Sequence, residues 1–377
     1  MGARSAAIPT SPHRGEVKSG CVSLIEKWFR SQIISAAPII AALSGLSLVA
    51  YVIIASGAAQ VAHTMLLIGW WLLPITLFHL VPLSFSALSW RDLLPVASRP
   101  DAASIFRIRW IRESINSLLP TAGVGGDFAS ARLAHLQGVP GAQAAASMVV
   151  DITVGAATQV VFVMAGMGLL LMRSGERSAV VVAYAALTGA VLFLAAIAAF
   201  LVFQHRGLFA GSARFASRLL PAQWLTAFAA SASAVDDAVV ATYRTGWRIL
   251  RANVLRFIGW AAGAGEVWLV LQILGQPLGI TDALILESLE SGVRVAAFMV
   301  PGALGALEGS FVLFGSLFGL PAETALAIPL TKRARELALG VPGLLFWHWI
   351  EGRYFRRRAS RGRPPAPPPA TSICCLH

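Results

Sequence analysis

Long apolar runs separated by shorter polar, often basic, segments set the pattern of this chain. Ile33–Gly57 is uncharged, and Thr64–Ser89 carries His79 as its one titratable residue. Gln143–Met172 is interrupted by Asp151, and Ser178–Phe203 is uncharged. Val254–Leu274 has Arg256 at its entry and Glu266 inside. A cluster of Lys332, Arg333, Arg335 and Glu336 falls within the largely apolar Ala322–Ile350. Each run exceeds the ~20 residues that a helix needs to cross ~30 Å of hydrocarbon. The pattern predicts six membrane-spanning helices.

Two stretches break the pattern. The first holds Arg112, Pro120, Gly123, Gly125, Gly126 and Asp127, and the second holds Arg294, Pro301, Gly302, Gly305 and Glu308. In both, a proline stands seven residues before an acid, and an arginine stands seven or eight residues before the proline. Broken, charged segments in corresponding positions of two halves point to a transport site near mid-membrane. Basic residues then give an orientation. Residues 1–32 and 91–112 carry five Lys or Arg each, and 204–253 and 351–377 carry six each, whereas 58–63 and 275–281 carry none. Basic loops remain cytoplasmic, so both termini are expected inside. That count closes when each broken segment enters and leaves on one face. The first, around 110–137, then dips in from the cytoplasm and the second, around 282–320, from outside. The fold class expected is therefore all-α, a polytopic helical membrane protein with about six spans and two re-entrant broken helices in an inverted repeat. Eight full spans are the alternative.

Composition agrees, with 56% hydrophobic and 13% charged residues and a mean hydropathy of +0.71. A net charge of +12 suggests nucleic acid, but the basic residues sit in linkers and tails, which makes them topology signals instead. The polar first 32 residues, and the length of the run after them, predict an uncleaved anchor. Cys21, Cys374 and Cys375 offer neither a zinc site nor a disulfide framework. The expected organisation is a basic segment 1–32, a first repeat 33–203, a cytoplasmic connection 204–253, a second repeat 254–350 and a disordered Arg/Pro-rich tail 351–377. In the connection, Arg244, Arg248 and Arg251 fall on one helical face, read either as a helix on an anionic leaflet or as a solvated one.

Charges inside a bilayer cost roughly 2.5–3.5 kcal/mol each on insertion scales, so they face protein or water. Asp127 and Glu308 hold matching places in the two halves. Either they line a cavity, or each caps a half-helix after its glycine turn. Gly125, Gly126, Gly302 and Gly305 allow sharp turns with exposed amides, which suit a phosphate. Arg112 and Arg294 fit an anionic lipid phosphate or internal pairs with Asp127, Glu113 or Glu290. Asp151 and Glu266 are possible coupling sites or interhelical hydrogen bonds. The Lys332 to Glu336 cluster is expected to face the interior and neutralise carboxylates, or to mark a helix end. His79 and His348 read as structural. No metal constellation and no nucleophile–base set is present, so neither a cofactor nor catalysis is expected.

The blocks Leu119 to Asp127 and Val300 to Gly309, with the basic run Lys332 to Glu336, resemble the family named after the membrane region of lysylphosphatidylglycerol synthase, in particular its hopanoid-biosynthesis-associated branch. The resemblance covers roughly residues 25–350. In the best-understood relatives this region flips an aminoacylated phospholipid through a cavity between two repeats, and a separate soluble domain makes the lipid. Only a short tail follows residue 350 here, so lipid movement is implied and synthesis is not. By position, the resemblance places Arg112, Asp127, Arg294, Glu308 and Arg333 near the cavity. It implies a bacterial inner-membrane protein whose partners are an anionic phospholipid or hopanoid derivative and, with them, hopanoid-biosynthesis proteins. A non-transporting scaffold and a group-transferring membrane enzyme are the other two readings.

Overall fold

A computed structural model of the chain describes residues 58–119, 125–174, 222–297 and 303–361, together with residues 47, 51, 53, 54 and 202. The predicted first span Ile33–Gly57, apart from these few positions, lies outside the described residues. So do nearly all of Ser178–Phe203, residues 1–32, the tail beyond residue 361, and the breaks 120–124 and 298–302, which contain Gly302. The tail expected to be disordered from 351 is helical as far as Arg361. The described residues form helices and no strand. The protein is an all-α, polytopic membrane protein.

The second apolar run folds as α1 (Ala58–Ile68), a 3-10 turn (Gly69–Trp71), α2 (Leu72–Phe78) and α3 (Leu80–Leu93). Pro74 and Pro82 lie in the first turns of α2 and α3, where a missing N–H leaves no helical bond broken. Asp101 caps the next helix by accepting a hydrogen bond from the Ser104 amide at 3.1 Å. Its bonds to Ser104 hold its carboxyl below the usual range.

There follow α4 (Ala102–Leu118), α5 (Gly125–Leu136) and α6 (Gly141–Ser174). The second half has α7 (Ala222–Tyr243), α8 (Gly246–Ile273), α9 (Ile280–Ala296), α10 (Ala306–Ser316) and α11 (Ala322–Arg361). Three stretches, Ala58–Leu93, Gly141–Arg173 and Gly246–Ile273, are long and apolar enough to cross a membrane. The fourth long helix, α11, runs unbroken through the Lys332 cluster despite Pro329 and Pro342. The cluster therefore marks no helix end. One sequence expectation fails here. Arg244 falls in the turn between α7 and α8, so it shares no helical face with Arg248 and Arg251.

The 17 residues each of α4 and α9 and the shorter α5 and α10 reach at most about 25 Å, short of a full crossing. They are hairpins. Asp127 at the start of α5 meets Arg112 near the end of α4, while Leu133 and Leu136 further on line a groove with Ile108. So α5 runs back beside α4. In the same way Leu307 lies near Arg294, and Phe314 packs against Ile285 and Leu289.

The two hairpins enter from opposite ends of the molecule. Helices α3 and α8 are antiparallel: Asp92 pairs with Arg251 at 3.0 Å, Ser89 donates to the Ala252 carbonyl at 2.9 Å, and His79 meets Glu266. The first hairpin thus starts at the end where α8 begins. The second starts where α8 finishes, beside the end of α6, where Arg173 pairs with Asp282 at 2.6 Å. Each hairpin packs on the long helix of the other half, α4 on α11 and α9 on α6. Exchanging the halves maps these helix contacts onto one another: α3–α4 onto α8–α9, α5–α6 onto α10–α11, and α3–α6 onto α8–α11. This is the inverted repeat expected from the broken motifs.

Candidate functional site

Between the halves lies a run of buried charges. Asp151, eleven residues into α6, is wholly buried and held by two arginines, Arg109 of α4 at 2.7 Å and Arg256 of α8. One Arg109 Nη has no hydrogen-bond partner among the described residues. One turn along α4, Arg112 pairs with Asp127 at 2.5 Å.

Next to these, His79 stands where α2 meets α3. Its Nε2 lies 2.7 Å from Glu113 of α4, and its Nδ1 lies 2.5 Å from Glu266 of α8. The Arg335 guanidinium of α11 also lies 2.5 Å from the same Nδ1. Glu266 also accepts from Arg335 of α11. From there the run continues through Glu336 of α11 to Arg294 and Glu290 of α9, the last two paired at 2.8 Å. Lys332 reaches Glu287 at 2.5 Å and Glu290 at 3.3 Å. Arg333 reaches Glu308 at 3.3 Å and Glu336 at 3.0 Å.

Together these are eight carboxylates and, counting His79, eight basic groups, so their desolvation is offset by near neutrality. Most members are buried, but Glu113 and Arg294 are each 42% exposed. These two give the run an accessible group on either hairpin. The space beside the second hairpin, between Glu290, Arg294, Lys332 and Arg333, is a void of about 10 Å³. That is room for about one water, so this space is closed around its charges.

The structure brings Arg112, Asp127, Arg294, Glu308, Arg333, Asp151 and Glu266 into this one region, with an asymmetry between the halves. Arg112 pairs with the acid of its own motif, whereas Arg294 pairs with Glu290 and Glu336 and leaves Glu308 to Arg333. Glu308 also caps α10 by accepting the Gly305 amide at 2.7 Å, so capping and pairing coincide there. The expectation of glycine amides open to a phosphate fails at two positions. The Gly305 amide is taken by Glu308, and that of Gly126 by the Asn116 side chain at 2.8 Å. Gly126 is required for another reason, because a Cβ there would strike the Arg112 carbonyl and Asn116. Gly305, at φ +79°, turns the chain into α10 in the left-handed region. Gly125 is buried at the start of α5.

Sequence reasoning passed over His79, taken as structural, and gave no role to Arg109 or Glu287. A lone histidine in an apolar run carries little signal, and its partners lie 34 and 187 residues away. Among the described residues no group of three or more His, Cys, Asp or Glu side chains could hold a metal ion.

A family model described as the lysylphosphatidylglycerol synthase TM region matches residues 37–343. Comparison with curated proteins and with solved structures finds no match.

Proposed function

The chain belongs to the lysylphosphatidylglycerol synthase transmembrane-region family, and on that premise we propose that it is a flippase-like carrier of lipid head groups. Its setting is a bacterial inner membrane, with both termini cytoplasmic. The cargo is a phospholipid or hopanoid derivative, and the chain itself performs no catalysis. One observation carries the reading: the neutral run of charges at the interface of two inverted repeats, accessible at Glu113 on one hairpin and Arg294 on the other. A polar head group crossing hydrocarbon needs donors and acceptors to replace water. Alternating acids and bases supply both, and can exchange internal partners for an ammonium or a phosphate. Rocking of one repeat against the other would open the closed interior to each face in turn.

The test uses the protein reconstituted in liposomes with fluorescent phosphatidylglycerol, following the fraction protected from an impermeant quencher. Wild type is expected to equilibrate the lipid between leaflets. Glu308→Gln and Arg333→Gln, inserted to the same level, are expected to slow it at least tenfold. If wild type moves lipid no faster than empty liposomes, transport is refuted and a scaffold for lipid-modifying enzymes becomes the better account. If wild type transports and both variants match it, the site is wrong and the function stands.

A further inference from the structure

An open groove among the described residues lies away from the charged interior. It has a volume of about 300 Å³ and is formed by α4, α5 and the C-terminal part of α11, a size at the lower end of small-molecule sites. Its lining changes character in one direction on all three helices. On α4, Arg107 precedes Ile108 and Ile111; Gln137, in the turn just past α5, follows Leu133 and Leu136; on α11, Arg353 follows Phe346 and Ile350. Helix α5 runs antiparallel to α4, and so does α11, whose Phe346 stacks on Trp110 at 6.0 Å while its Leu339 carbonyl accepts from the Trp110 indole. The three polar residues therefore gather at one end, the end where α4 begins, and the apolar ones extend towards the membrane interior.

The polar end is cationic in a way the interior is not. Arg109, Arg112, Arg256, Lys332, Arg333 and Arg335 are all held by carboxylates. Arg107 donates to the Ala103 carbonyl and the Ser104 hydroxyl, and Arg353 lies 4.1 Å over the Trp349 ring. Neither forms a salt bridge among the described residues, and both are exposed. Trp349, 47% exposed beside them, has the amphipathic character of residues placed at head-group level.

We propose that this groove is a binding site for one anionic phospholipid. Arg107 and Arg353 hold its phosphate, and an acyl chain lies along Ile108, Leu133, Leu136 and Phe346. Guanidinium groups select a phosphodiester lacking a compensating ammonium over a zwitterionic head group. The site is separate from the charged interior and binds lipid whether or not the chain transports it.

The full chain, purified in mild detergent, is titrated with phosphatidylglycerol and with phosphatidylcholine and read by native mass spectrometry. One phosphatidylglycerol is expected to be retained in preference to phosphatidylcholine. The double variant Arg107→Gln/Arg353→Gln is expected to lower its retention about tenfold and leave phosphatidylcholine unchanged. Leu136→Trp, which fills the groove and leaves both arginines, is expected to remove both lipids, and Arg244→Gln to change nothing. Equal retention of the two lipids on wild type, or undiminished phosphatidylglycerol on the double variant, overturns the proposal. Displacement of the lipid by millimolar inorganic phosphate would make this a free-anion site and also overturns it. Should the double variant not fold, the lipid preference of wild type and the Leu136→Trp result decide.

Discussion

Asp151 shows why single charges inside this protein are not independent. Its two arginine partners are themselves buried, so Asp151→Asn leaves two uncompensated guanidinium groups in a place without water. Removing one partner of a buried ion pair costs about 3–5 kcal/mol. The variant is expected to melt well below wild type in detergent, followed by tryptophan fluorescence. Replacing the whole set (Asp151→Leu, Arg109→Met, Arg256→Met) is expected to recover most of that loss, because no charge is then stranded. A triple variant as unstable as Asp151→Asn would mean that packing dominates at this position. Of the two readings the sequence leaves for Asp151, a coupling site or a bond between helices, such a clamp fits the second. Glu266, which touches His79 as well as Arg335, has the more exchangeable surroundings.

Among the helices, the deciding contacts are those between each hairpin and the other half. Helix α4 lies against α11 closely enough that a Cβ on Gly343 would strike Ser114 and approach the Trp110 indole to 3.2 Å. Gly343→Val should therefore push α4 off α11 at a cost of about 1–3 kcal/mol, typical of overpacking. Gly309 in α10 has open space at the same position. Gly309→Ala should be neutral or raise stability by up to about 1 kcal/mol through helix propensity. Paired melting curves check the contrast, and equal effects of the two would argue against the α4–α11 packing. In the sequence both are glycines in apolar helices, and nothing local separates them. What separates them is a helix more than 200 residues away.

For the molecule as a whole, the inverted repeat predicts that the loops feeding the two hairpins lie on opposite faces. In a background with Cys21, Cys374 and Cys375 changed to Ser, Val96→Cys lies in the first of those loops and Ile280→Cys at the first residue of α9, where the second loop ends; both positions are exposed. An impermeant maleimide is expected to label Ile280→Cys from outside intact cells and Val96→Cys only in inverted vesicles. Labelling of both from one side would refute the inverted arrangement. The reverse assignment would keep the repeat and overturn the orientation taken from basic loops.

Much of this architecture was present in the order of residues. The span Gln143–Met172 corresponds to α6 and Val254–Leu274 to most of α8, because the length of an apolar run is a local property that hydrocarbon thickness fixes. The paired motifs around Asp127 and Glu308 announced two hairpins, since a proline followed by clustered glycines disfavours a continuous helix. The sequence also placed more charge in the apolar region than lipid tolerates, and so required an interior to hold it. It could not say which charge meets which. Arg112 and Arg294, alike in their motifs, take unlike partners, and His79 joins Glu113 to Glu266 across the two halves. Those pairings depend on where α4, α8, α9 and α11 come to rest, and that is set by packing between residues far apart in the chain, which only the tertiary structure decides.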